Sequence, residues 1–245
     1  MRRAFGALAL VTAWCPFMLS GCVAANVNPD RATFAAAPSL NAIPHAMVQL
    51  ESGHTLVLDL RLDRQVSGNG CGAHAVASMI DYWHRAAPRS DGFRPPTGAW
   101  IYAATPPSQS SGYALGELVE LLETSGLVAV PVETTVAALK GELDRGRPAI
   151  ARVSLSAGHV LGTRLIPVEL AYLAATETFL TDAAARLVEP FAPSRLMHFW
   201  VVIGYDAEHV IVLDPALGIR AVQSAAFARA FDRGGNLAVV VGGWA

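Results

Sequence analysis

Cys71 stands in the run Gln65-Val-Ser-Gly-Asn-Gly-Cys71-Gly-Ala-His-Ala-Val-Ala-Ser-Met-Ile, with a histidine, His198, and an aspartate, Asp214, far downstream. These are the parts of a thiol nucleophile. The thiolate is the reactive form, and the amino terminus of a helix stabilises negative charge there. Gly70 and Gly72 let backbone approach the sulfur closely. An oxyanion formed on attack needs positioned donors. The backbone N–H of Cys71 and the side-chain amide of Gln65, reached over a Gly-rich loop, supply two. His198 opens the apolar run His-Phe-Trp-Val-Val-Ile-Gly-Tyr, and Asp214 closes the run His-Val-Ile-Val-Leu-Asp. If the two runs pair as a hairpin about a turn centred near residue 206 or 207, His198 falls opposite Asp214 or one pair off. A carboxylate there fixes the imidazole tautomer.

Read singly, each residue has a plainer meaning. A lone Cys71 is a buried structural thiol, His198 a strand-end residue, and Asp214 before Pro215 a turn initiator. Their order and register raise them together. His74 lies one turn from Cys71 and within reach of it, with a helix-surface or cleft-lining place as the alternative. Cys71, His74 and His84 lack paired zinc-ligand spacing, so no metal and no cofactor is expected.

The elements that must position this set follow from periodicity. Ala46 to Leu62 reads as two strands around a Glu51-Ser-Gly-His54 turn, with Leu56, Leu58, Leu60 and Leu62 alternating along the second. Gly72 to His84 reads as a helix with Val76, Met79, Ile80 and Trp83 on one stripe. Pro88 to Tyr113, rich in Pro, Gly and Ser, reads as loop. Helices are expected over Leu115–Ser125, closed by Gly126, and Val136–Arg145, closed by Gly146. Strands are expected over Val128–Val132, Ala149–Leu155, Phe199–Tyr205, His209–Leu213 and Leu237–Val241, and Ile166–Val188 is mostly helical in pattern. Trp83, Trp100, Trp200 and Trp244 are expected as core or cleft walls. With helices early and strands late, the expected class is α+β in one domain.

The chain opens Met-Arg-Arg, runs through the apolar stretch Ala4 to Leu19 and reaches Leu19-Ser20-Gly21-Cys22, the pattern of a secretory signal rather than a spanning helix. The tetrad resembles the lipobox of bacterial lipoproteins, which implies cleavage before Cys22 and lipid on its sulfur and amine. Several acyl chains give stable anchoring where one is marginal. By the same resemblance, Val23 in place of aspartate leans toward the outer membrane. The expected organisation is a signal over 1–21, lipidated Cys22 and a tether over 22–45, then one domain over 46–245. Of 245 residues, loss of the first 21 leaves 224 and takes the formal charge from −2 to −4. With 16% charged residues and no basic patch, the chain has no footprint for nucleic acid.

Gln65, the block from Cys71 to Trp83, His198-Phe-Trp-Val-Val-Ile-Gly-Tyr, Leu213-Asp-Pro-Ala and Gly146-Arg-Pro-Ala-Ile together resemble the double-glycine leader peptidases, cysteine peptidase family thirty-nine. The resemblance covers Asp63 to the carboxyl end. It implies a papain-like fold, a helix carrying the cysteine packed on an antiparallel sheet carrying histidine and aspartate. It also implies Cys71 as nucleophile, His198 as base and then acid, Asp214 as its orienter and Gln65 as oxyanion donor. Two departures stand out: the span from about 156 to 196 is longer than usual and reads as a helical insertion, and His74 occupies a position usually small or apolar. No transporter accompanies the domain in this sequence, so bacteriocin maturation is not implied. The expectation is an exported, lipid-anchored cysteine peptidase acting on a secreted or envelope polypeptide, after small residues such as Gly-Gly, with an export system as a candidate partner. The rivals are an acyl or peptidyl transferase on the same triad, and a non-catalytic module that grips a peptide.

Overall fold

A computed structural model describes residues 45–50, 53–66, 68–156 and 195–245. The signal, Cys22, the tether to residue 44 and the expected helical insertion lie outside the described residues. Two antiparallel strands, β1 (His45–Leu50) and β2 (Gly53–Leu58), form a hairpin. It leans on the main sheet at Gly204, where an added Cβ would lie 2.6 Å from Val57 Cγ1.

The second expected strand stops at Leu58, short of Leu62. From Asp59 onward the backbone finds partners on a helix instead of a ladder. Arg85 donates to the Asp59 carbonyl and Asp63 N–H donates to Ser78 Oγ. These bonds satisfy groups that a strand would otherwise pair. The alternating leucines keep their burial without it, since Leu58 and Leu60 are buried and Leu62 partly so.

That helix is α1 (Cys71–Ala86), which begins at the cysteine itself. Every residue from Cys71 to Ile80 is buried, so the apolar stripe of Val76, Met79, Ile80 and Trp83 is only part of its contact. Small residues make the rest possible. A Cβ on Gly72 would come within 2.7 Å of Leu118 Cδ2 and 3.0 Å of Tyr113 Cβ. Next come α2 (Gly98–Ala104), α3 (Leu115–Thr124), β3 (Leu127–Glu133), α4 (Val136–Asp144) and β4 (Ala149–Ser156). Gly126 and Gly146 follow α3 and α4 with φ of 90° and 73°, the left-handed backbone that ends helices.

After residue 194 come β5 (Arg195–Tyr205), β6 (His209–Asp214), β7 (Gly218–Gln223), α5 (Ser224–Arg233) and β8 (Leu237–Trp244). The six-stranded sheet runs β3-β8-β4-β5-β6-β7 with antiparallel neighbours throughout. α1 lies against β5 and β8, and α5 against β4, β6 and β7. The class is α+β. Three elements were not expected: α2 inside the Pro- and Gly-rich stretch, and the pair β7 and α5.

Candidate active site

Cys71 occupies the first turn of α1, and its side chain is buried with 6% exposure. The first four N–H groups of a helix have no intrahelical partner, so the Cys71 amide stands beside its own sulfur as a potential donor. The loop before it is tied down from α2 and beyond. Tyr102 donates its hydroxyl to Asn69 Oδ1 at 2.7 Å, and Asn69 Nδ2 donates to the Ser110 carbonyl at 3.3 Å. Tyr113, packed on Gly72, forms a neighbouring wall; its hydroxyl donates to the Thr105 carbonyl at 2.6 Å. Burial pushes the Tyr113 phenol up to about 12, with Tyr102, Glu117 and the Cys71 charge adding to the rise. The stretch read as loop therefore borders the thiol, and a short helix braces it.

His198 comes from β5, which starts four residues earlier than the strand expected from Phe199. The hairpin ladder pairs Val201 with Leu213 and Val202 with Val212; continued, it sets Trp200 across from Asp214 and His198 on the diagonal. Of the two registers expected, this is the one a pair off. The diagonal suffices: His198 Nε2 lies 2.9 Å from Asp214 Oδ1. Asp214 is buried, and its oxygens are richly served. Trp200 Nε1 donates to Oδ2 at 2.8 Å, while the N–H groups of Ala216 and Leu217 donate to Oδ1 at 2.8 and 3.3 Å. The aspartate before proline does initiate a turn, and it holds the histidine as well.

The electrostatics follow from this enclosure. Burial works to lower the His198 pKa, but the Asp214 charge and hydrogen bond, and then the hydrogen bond and charge of Cys71, outweigh it and push it up to about 10. Burial works to raise the Asp214 pKa, but the His198 charge and bond, the Trp200 indole and the Ala216 amide bring it down to about 2. The imidazole therefore holds two partners. Nε2 is taken by Asp214, which leaves Nδ1 as the nitrogen for the sulfur. An imidazole held between a carboxylate and a cysteine side chain is the arrangement that can activate a thiol.

Gln65 enters by its backbone. Its N–H donates to the Pro215 carbonyl at 2.8 Å, just past Asp214, and Arg64 Nη1 donates to the Ala216 carbonyl at 3.2 Å. The residue is half-buried between the helix that bears Cys71 and the turn that bears Asp214. His74 departs from its expected surface or cleft-lining place. It is buried to 1% exposure, bonded to Asp63 and pressed against Gly98 of α2. Trp200, read as core or cleft wall, is a ligand of the Asp214 carboxylate; its place two residues from His198 on the same strand face was the available signal. Trp83 is core, Trp244 half-buried and Trp100 exposed. Among the described residues, no group of three or more His, Cys, Asp or Glu side chains is arranged to hold a metal.

A cysteine at a helix start facing a histidine–aspartate pair on an antiparallel sheet defines a papain-like thiol centre. The Peptidase_C39 like family model matches residues 57–239, and the chain belongs to that family. In fold it is similar to the peptidase domain of Streptococcus ComA, a bifunctional ABC transporter involved in a quorum-sensing pathway. That likeness has a TM-score of 0.50 and 16% identity, covering 76% of this chain and 99% of that one. A C39-like peptidase structure from Bacillus anthracis aligns with a TM-score of 0.47 and 15% identity over 75% of this chain and 94% of that one. A double glycine motif protease from an AMS/PCAT transporter, in complex with its leader peptide, aligns at 0.45 and 14% identity over 75% and 91%. None of the curated proteins matches.

Proposed function

We propose that this chain is an exported, lipid-anchored cysteine peptidase with Cys71 as nucleophile. The observation that carries the reading is the His198 imidazole held between the Cys71 side chain and the Asp214 carboxylate. The thiolate attacks the scissile carbonyl, and the Cys71 amide with the Gln65 side chain holds the oxyanion. The imidazolium gives its proton to the leaving amine as the acyl–sulfur bond stands. The imidazole then takes a proton from water, which attacks the thioester and frees the thiolate. Asp214 keeps the ring oriented throughout. In the double-glycine peptidases that the sequence resembles, small residues precede the cut, so a Gly-Gly segment in a secreted or envelope polypeptide is the substrate class proposed.

A thiol-reactive suicide probe tests the centre. Labelling confined to Cys71 and abolished by His198→Ala is expected; slow labelling indifferent to His198 would leave a peptide-binding module in its place. Product analysis with added amines separates hydrolysis from transfer. The lipobox-like Leu19-Ser20-Gly21-Cys22 supports anchoring at Cys22, and Val23 supports the outer membrane. Cys22→Ala is expected to release the protein from membranes, and persistent membrane association would refute the anchor.

A further inference from the structure

Asp63 lies two residues before Gln65 and is bonded on every side. Its carboxylate accepts from His74 Nδ1 through Oδ1, and from the Gly98 N–H through Oδ2 at 3.1 Å. Its own N–H donates to Ser78 Oγ at 3.2 Å, and that hydroxyl donates to the His74 carbonyl at 3.1 Å. His74 and Ser78 belong to α1, Gly98 to α2. Residue 63 is therefore fixed to the helix that carries Cys71, one turn from the sulfur. The contact leaves no slack on the far side, because a Cβ on Gly98 would lie 2.4 Å from His74 Nδ1.

From that anchor the chain crosses to the sheet side. Arg64 bonds the Ala216 carbonyl and Gln65 the Pro215 carbonyl. Two residues span at most about 7 Å, so little freedom remains between the ends. Gln65 is thus suspended between the thiol's helix and the turn after Asp214. The helix-side fastening is the His74–Asp63 pair.

We propose that His74 and Asp63 are positioning residues which set the Gln65 amide against the Cys71 sulfur. The inference rests on the peptidase reading above, in which Gln65 is an oxyanion donor. His74 touches no reacting atom in it and acts through Asp63. Groups held a shell away from the chemistry alter rates by displacing the groups that touch it.

The test uses acetyl-Gly-Gly p-nitrophenyl ester and iodoacetamide on the full chain. Ester acylation builds an oxyanion, whereas alkylation by iodoacetamide needs only the thiolate. Asp63→Asn and His74→Gln are expected to lower kcat for the ester about tenfold or more with KM within about twofold, and to leave the alkylation rate within about twofold. Each is expected to be silent when added to Gln65→Ala, so that the double variant is no slower than Gln65→Ala alone. Additive losses, or acylation and alkylation falling in parallel, overturn the inference. A thermal unfolding midpoint lowered without any change in acylation overturns it as well. If Gln65→Ala itself leaves acylation unchanged, the oxyanion reading of Gln65 fails and takes the inference with it, a result distinct from the others. Asp63→Asn, at a half-buried site, keeps the test open should the buried His74 variant not fold.

Discussion

Two histidine–aspartate pairs stand near Cys71, one on the sheet and one on its helix, and their chemistry is the same while their surroundings are not. On the sheet side, Asp214 accepts from His198, Trp200, Ala216 and Leu217, and the other ring nitrogen of His198 is left for the thiol. On the helix side, Asp63 accepts from His74 and Gly98, and Nε2 of His74 has no hydrogen-bond partner among the described residues. The first pair passes a proton in the proposed reaction; the second fastens a loop. What separates them is the atom facing the second nitrogen, a sulfur in one case and packed interior in the other.

The sharpest way to break this contrast is to remove each imidazole. His198→Ala is expected to lower peptide or ester turnover about a thousandfold or more, measured against the intact chain. An effect of His74→Gln as large as that would erase the distinction. Asp214→Asn should cost about a hundredfold by mis-setting the His198 tautomer, read in the same assay, with the labelling of Cys71 slowed as well. Gly98→Ala presses a methyl into His74 and is expected to cost about 1–3 kcal/mol in denaturant unfolding. Trp200→Phe deletes one donor to a buried carboxylate and should cost about 1 kcal/mol or more in the same measurement.

A pH series sharpens the comparison from the sheet side. His198 titrates higher folded than unfolded, so its contribution to stability is whole below the unfolded value of 6.5 and is lost as pH rises through about 10. Asp214 titrates lower folded than unfolded, so its contribution is present above 3.8 and is lost as pH falls through about 2. Unfolding midpoints followed with pH should show both losses in the intact chain, and the alkaline one should vanish in His198→Ala. Turnover is expected to fade over the same alkaline range, where His198 no longer carries the proton for the leaving amine.

The thiol and its partners could be read in the chain because each sits at the boundary of a strongly periodic element. Cys71 precedes an unbroken helical stripe, and His198 and Asp214 bracket two apolar runs about a short turn. Even the offset of one pair was within the expected range; it is set at the turn, where the Asp206 N–H donates to the His209 carbonyl, and the β-bulge between Val202 and Gly204, which no periodicity reports, then trims the register by one residue. What stayed hidden depends on contacts between distant segments. α2 is seven residues long, is capped by Thr97, whose hydroxyl accepts from the Trp100 N–H, and packs flush on His74 at Gly98. So short a helix has too few turns to show a stripe. α5 did carry one in Phe227, Ala230 and Phe231, all buried, but its neighbours Gly234 and Gly235 and the short β7 made the stretch look irregular.

The Trp200 indole that donates to Asp214 also stacks on Phe227 of α5, with ring centroids 6.2 Å apart, and Phe227 stacks in turn on Phe231 at 5.7 Å. Three aromatic rings thus run from the triad carboxylate into the carboxyl-terminal helix. A Phe227→Ala protein would retain every group assigned to bond making and breaking, yet lose the floor beneath the indole that holds one of them. Its inactivity would then be a fault of carpentry rather than of chemistry.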